Sequence, residues 1–295
     1  MKRFETLLSA RTAVALFVIF IWSGCFVVIK TTYRDSPPLV YAAMRALLGG
    51  LPLLMIATAS QKLLPPARTW GWIVALGATN TTLGLSGMFL SVGVAGAAIP
   101  AVLTNSQALL VAPFAMLLFG EALTGGRIAG LLVGTIGVLL IVLGSQARLG
   151  TMEGAFLALV ATGGLAAGNL IIKHLGNRVD ALSATAWQYL LGGLLLLGWS
   201  FFSEDLTAVA WSAHFLGGLL FLGLVGSGLA SWIWYHLVRK SELIALNSLT
   251  LLTPVFALVL ALLLYGEPVS KSSLLGTAMV LGGVFWVGRP EVRKK

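Results

Sequence analysis

Apolar runs near 20 residues long, the length that crosses a bilayer core, follow one another along the chain with only short polar breaks between them. The pattern predicts ten helical spans at roughly 12–32, 38–58, 70–90, 97–118, 126–145, 154–173, 181–201, 214–236, 243–265 and 271–288. Pro37-Pro38, Pro65-Pro66 and Pro268 fall between spans, where proline removes no helical hydrogen bond. The longest connection, about 59–69, is too short for a soluble domain.

The spans repeat. Shifted by 146 positions, Leu118-Phe119-Gly120-Glu121 returns as Leu264-Tyr265-Gly266-Glu267, and the register holds without a gap from Gly77/Gly223 to Val142/Gly288. Thr104/Thr250, Gly130/Gly276 and Gly137/Gly283 also match, and upstream a shift of 143 pairs Ile29-Lys30 with Ile172-Lys173. The chain therefore divides into two copies of one unit, 1–148 and 149–295. Five spans per copy is an odd number, so the second copy enters the membrane upside down. The expected fold is an all-α integral membrane protein of ten transmembrane helices, arranged as two inverted five-helix repeats.

Composition agrees with a lipid solvent, since 58% of residues are hydrophobic and only 10% are charged. The net charge of +9 does not point to nucleic acid, because Lys and Arg sit in loops between apolar runs rather than on one basic face. In a membrane protein those loops report topology. Fourteen cationic side chains fall on the N-terminal side of the expected spans, against Lys30, Arg34, Arg148 and Lys271 on the other. Such a bias places both termini in the cytoplasm of a cell with this chain in its inner membrane. The lone Cys25 excludes an internal disulfide, and no Cys pair suggests zinc. No cofactor is expected. The expected partners are membrane lipids and a small-molecule substrate, with no nucleic acid, and the oligomeric state is open.

Polar side chains inside spans are the candidate chemistry, because at membrane depth they must face the bundle or a wet cavity. Asn80 lies in span three, Thr104, Asn105, Ser106 and Gln107 in span four, Asn169 in span six and Gln188 in span seven. Ser227, Ser231 and Tyr235 share a face of span eight, and Asn247, Thr250 and Pro254 share one of span nine. Thr104 and Thr250 are repeat equivalents, which puts them at the interface of the copies, where substrate sites of inverted-repeat transporters lie. Pro254 removes the usual partner of the Thr250 carbonyl and leaves it to face a cavity. Span one adds the aromatic pair Trp22 and Phe26. The expected substrate-binding set is Trp22, Phe26, Asn80, Thr104, Gln107, Asn169, Ser231, Tyr235, Asn247 and Thr250, and the competing reading of each polar member is an interhelical hydrogen bond.

The charged residues read differently. Glu121 and Glu267 each stand a few residues before a helix start (Thr124, Ser270), where the helix dipole favours a carboxylate, so a structural or gating role is expected. Lys30 and Lys173 lie near span ends and can snorkel. Arg45, two turns into span two, is expected to snorkel as well, with a substrate carboxylate as the other reading; its repeat equivalent is the neutral Gln188. All carboxylates fall in tails, loops or span ends, which leaves proton coupling without an intramembrane carrier and predicts a neutral binding site. The histidines lie near span ends and form no catalytic constellation.

Ten spans in two copies, each with Gly-Glu after its fourth span, resemble the drug/metabolite transporter superfamily, EamA type. The best-carried stretch runs from Leu251-Leu252-Thr253-Pro254-Val255-Phe256 to Leu264-Tyr265-Gly266-Glu267 and on to Gly276 and Gly283. The first copy departs from it: Ala108 stands where the second has Pro254, and Pro113 follows five residues later, so a kink in span four is open. The resemblance implies a secondary transporter exporting small organic metabolites, amino acids and aromatic ones among them, by alternating access through a central cavity. An uncoupled facilitator of drugs, nucleobases or other metabolites is the alternative on the same fold.

Overall fold

The structure is a computed structural model that describes residues 10–61, 64–95, 98–144, 151–266 and 269–289. Among the described residues it is helical throughout, with short turns and no strand. The helices are α1 (Ala10–Thr32), α2 (Pro38–Ala59), α3 (Trp70–Leu76, continuing through Gly77–Leu83 and Gly84–Ala95), α4 (Ala98–Asn105 and Gln107–Phe119) and α5 (Gly125–Gly144). They continue with α6 (Met152–Leu175), α7 (Ala181–Ser203), α8 (Ala213–Leu220, Phe221–Leu229, Ala230–Lys240), α9 (Leu243–Ser248, Leu249–Leu252, Thr253–Tyr265) and α10 (Lys271–Val287).

Among the described residues nine helices are long and apolar enough to cross a membrane. α10 is apolar but has 17 residues. Large apolar side chains such as Phe17, Met55, Leu117, Phe156 and Leu263 point outward, on helices from both ends of the chain. A surface of that kind is solvated by lipid tails rather than water. The chain is a multi-pass membrane protein.

Local chemistry sets where the helices begin and end. Side chains of Asp180, Ser212 and Ser270 accept from the free amides of Leu182 (2.9 Å), Phe215 (3.0 Å) and Ser273 (3.0 Å) at the starts of α7, α8 and α10. Gly120 and Gly266 end α4 and α9 with φ of +65°, a left-handed conformation that a side chain would strain.

α3 packs along α6, α5 along α10 and α2 along α7, as the three most extensive helix pairs. α5 and α10 can meet because of their glycines: a Cβ on Gly137 would stand 2.6 Å from the Gly276 carbonyl oxygen. α6 packs on α3 and α4, while α1 packs on α8 and α9. Four helices depart from regular α geometry in their middles. α3 and α8 pass through π-helical turns at Gly77–Leu83 and Phe221–Leu229. α4 breaks at Ser106, and α9 tightens to a 3-10 turn at Leu249–Leu252 ahead of Pro254. Span four is thus interrupted without a proline at position 108, so Pro254 is not what the interruption requires.

Glu121 corrects one expectation. Its carboxylate does stand at a helix N-terminus, but at that of α9 rather than of α5, accepting from the amides of Leu243 (2.6 Å) and Ile244 (2.8 Å). Sequence proximity to Thr124 suggested the wrong helix, because the α9 end is brought alongside only by the packing of the bundle. Lys173 donates to the Ser241 carbonyl and lies 3.7 Å from Glu121, tying α6 to the same corner. The opposite end of the bundle has a counterpart that the sequence did not suggest. Glu204 accepts from Leu39 and Val40, both at 2.9 Å, the first amides that α2 offers after Pro38. Glu267, the second Gly-Glu carboxylate, lies outside the described residues.

Candidate functional site

The interruptions of α3, α4, α8 and α9 surround one internal cavity of about 120 Å3. Its wall comes from α1 to α4 and α6 to α9. α5 and α10, spent on each other, contribute no lining residue among those described. Most of the wall is apolar or aromatic, with a few polar groups set into it, as is usual for sites that hold small organic molecules.

Trp22 and Phe26 of α1, one helical turn apart, face the cavity together with Cys25. The Trp22 ring meets Trp234 of α8 with centroids 5.1 Å apart and planes tilted by 58°, and its indole N–H donates to the Gly226 carbonyl at 3.1 Å. Gly226 belongs to the π turn of α8, and Asn80 to that of α3. π turns thus carry polar groups to the cavity from both sides, in keeping with their frequent place at functional sites.

Three buried networks set the polar groups. In the first, Asn169 accepts from the Trp234 indole (2.8 Å) and donates to Asn247 (3.2 Å), while Asn247 donates back to the Leu243 carbonyl (3.0 Å). In the second, Gln188 Oε1 accepts from both the Tyr235 hydroxyl (2.9 Å) and Asn80 (3.3 Å). In the third, the hydroxyls of Tyr189 and Ser231 share a bond of 2.7 Å.

Nine of the ten residues expected to bind substrate line this one cavity: Trp22, Phe26, Asn80, Thr104, Gln107, Asn169, Ser231, Tyr235 and Thr250. Asn247 does not. It is wholly buried behind Asn169, its amide consumed in the network, so it orients a wall residue instead of being one. The freed Thr250 carbonyl is also a correction: the Thr253 hydroxyl donates to it at 2.7 Å, replacing the partner that Pro254 took away. Thr253 in turn gives its own carbonyl to Ser23 of α1 at 2.9 Å.

The largest correction is Arg45. It does not snorkel, although it sits only two turns into α2. The residue is 6% exposed, it lines the cavity, and its Nε donates to the Ser227 hydroxyl at 2.9 Å. Snorkelling would carry the guanidinium to the membrane edge, whereas here it stays buried and bonded to Ser227 of the neighbouring α8. The site is therefore not neutral. Tyr189, Trp234 and Thr253 are further wall residues that the sequence reading did not select. Tyr189 adjoins Gln188 in the middle of span seven, a hydroxyl at membrane depth, and that signal was present in the sequence.

The family model described as the EamA-like transporter family matches residues 12–143 and again residues 152–289. The chain belongs to that family. Among its relatives, the protein named Uncharacterized transporter YvbV of Bacillus subtilis (strain 168) is 28% identical over 97% of this chain and 94% of its own length. A protein of Salmonella typhimurium named Probable amino-acid metabolite efflux pump is 27% identical over 92% of each. The Escherichia coli (strain K12) protein of the same name is 25% identical, again over 92% of each. A crystal structure with 18% identity superposes with a TM-score of 0.80 over 95% of this EamA-like chain and 97% of its own, which supports the fold.

Proposed function

We propose that this protein exports small organic metabolites, amino acids foremost and aromatic ones among them, across a bacterial-type inner membrane by alternating access. The observation that carries the reading is the cavity itself: an apolar, aromatic chamber with a few placed hydrogen-bonding groups, built by helices from both halves of the chain. The names of the Salmonella and Escherichia coli relatives support amino-acid metabolites as the cargo class. The substrate-contacting residues in this reading are Trp22, Phe26, Asn80, Thr104, Gln107, Asn169, Ser231, Tyr235 and Thr250.

In the same reading all ten helices span the membrane, as two inverted five-helix repeats divided near residue 148. The 17 residues of α10 stand at the short end of what a bilayer requires. Features recurring at the 146-residue shift support the repeat: the π turns of α3 and α8, the left-handed glycines 120 and 266, and the interruptions of α4 and α9. Both termini are cytoplasmic, from the bias of basic loops. Glu121 then braces the bundle at its inner end and Glu204 at its outer end, and alternating access releases the braces in turn.

Among the described residues no carboxylate or imidazole lines the cavity, which supports transport without strong proton coupling. The test is flux from proteoliposomes loaded with tryptophan, threonine or alanine, with and without a pH gradient. Saturable, trans-stimulated efflux that favours tryptophan, ignores the gradient and is weakened by Tyr235→Ala is expected. Concentrative transport that collapses with an uncoupler would defeat the uncoupled mechanism. Flux that neither saturates nor responds to trans-substrate would favour a channel-like facilitator.

A further inference from the structure

Arg45 has more donors than the protein satisfies. Its Nε is used by Ser227, but Nη1 is buried without a hydrogen-bond partner, and no carboxylate among the described residues pairs with it. A guanidinium withdrawn from water and left uncompensated is strongly unfavourable, and such groups in membrane bundles mark the path of a ligand. The fold does not need the charge. At the shift of 143 the equivalent of Arg45 is Gln188, where a neutral amide fills the same place, its Oε1 bonded by Asn80 and Tyr235 and its Nε2 without a partner. On the same cavity wall Gln107 of α4 keeps a buried side-chain oxygen, Oε1, that also has no partner. One cationic residue with an unsatisfied donor and one amide with an unsatisfied acceptor thus line a single, mostly apolar and aromatic chamber.

We propose that these two groups read the backbone end of an α-amino acid: Arg45, positioned by Ser227, takes the carboxylate, and Gln107 Oε1 takes the ammonium. A carboxylate matches the planar guanidinium and supplies the missing countercharge. The ammonium supplies donors to an oxygen that lacks them. The side chain then lies against the aromatic wall of Trp22 and Trp234. This rests on the amino-acid reading above and narrows it to substrates carrying a free carboxylate.

The test compares L-tryptophan with tryptamine, which lacks the carboxylate, and indole-3-propionate, which lacks the ammonium. Wild-type protein in proteoliposomes should be inhibited by tryptophan at least ten-fold more effectively than by tryptamine, with indole-3-propionate between them. Arg45→Gln, the residue that the other half already accommodates, should raise the KM for tryptophan at least ten-fold and erase the preference over tryptamine. Arg45→Lys should recover part of it. Equal inhibition of the wild type by tryptophan and tryptamine, or an unchanged KM in Arg45→Gln, overturns the proposal while leaving transport intact. If the wild type moves none of these compounds, the export reading fails, and thermal stabilisation of the detergent-solubilised wild type decides the subsite separately. Stabilisation by tryptophan and not by tryptamine supports it, and equal or absent stabilisation overturns it. That measurement also serves if Arg45→Gln does not fold.

Discussion

Replacing Glu121 by alanine tests whether the bundle is held at one end by a carboxylate reaching across it. The substitution removes two short bonds, to the amides of Leu243 and Ile244 at 2.6 and 2.8 Å, and takes away the anion 3.7 Å from Lys173. Hydrogen bonds to a charged group contribute about 1.5–3 kcal/mol each, and loss of a helix N-cap costs about 0.5–2 kcal/mol. The Glu121 side chain is 8% exposed, so water reaches the vacated amides poorly, and Lys173 keeps only its bond to Ser241. Allowing for relaxation of the helix end, the expected loss is about 2–3 kcal/mol, or roughly 4–6 °C in Tm for a chain of this size. Glu121→Gln keeps an acceptor without the charge and should lose about half as much. Glu153→Ala provides the reference: Glu153 is exposed in the first turn of α6, and its favourable dipole contribution is under about 1 kcal/mol. Thermal unfolding in one detergent, with hydrogen exchange followed over 242–248, measures all three. A Glu121→Ala shift no larger than that of Glu153→Ala, or unchanged protection of the α9 start, would refute the cross-bundle cap.

The α5–α10 seam predicts opposite outcomes for two glycines. Gly137→Ala drives a Cβ to 2.6 Å from the Gly276 carbonyl and 2.8 Å from the Val280 amide, so the helices must part at about 1–3 kcal/mol, seen as a lower Tm. Gly282→Ala meets nothing within 4 Å and should be neutral or stabilising by up to about 1 kcal/mol. Asn169→Leu strands the Trp234 indole N–H and the Asn247 oxygen that it served, each an unsatisfied buried group worth about 1–3 kcal/mol. It should lower Tm and blue-shift Trp fluorescence less in a Trp234→Phe background, where one stranded group is already gone.

The helical membrane class, nine of the ten expected spans among the described residues, and the family with its two matched stretches were legible along the chain because each depends on local or periodic information. Apolar length sets what crosses a bilayer, and glycine and proline mark where helices stop whatever lies beside them. The polar residues at membrane depth were legible for a similar reason: lipid offers them no partner, so they turn inward, and seven of those selected line one chamber. What each inward group then does was decided by its neighbours across the bundle. Thr253 rather than substrate satisfies the Thr250 carbonyl, Asn169 screens Asn247 from the cavity, and Glu121 caps a helix 122 positions along the chain. Arg45 shows the limit most clearly. Its position in span two allowed either snorkelling or burial, and only the approach of α8, with Ser227 at 2.9 Å, turns the guanidinium into the chamber. Hydropathy reports whether a side chain avoids lipid, whereas its charge is compensated by atoms distant in sequence, and these come together only when the helices pack.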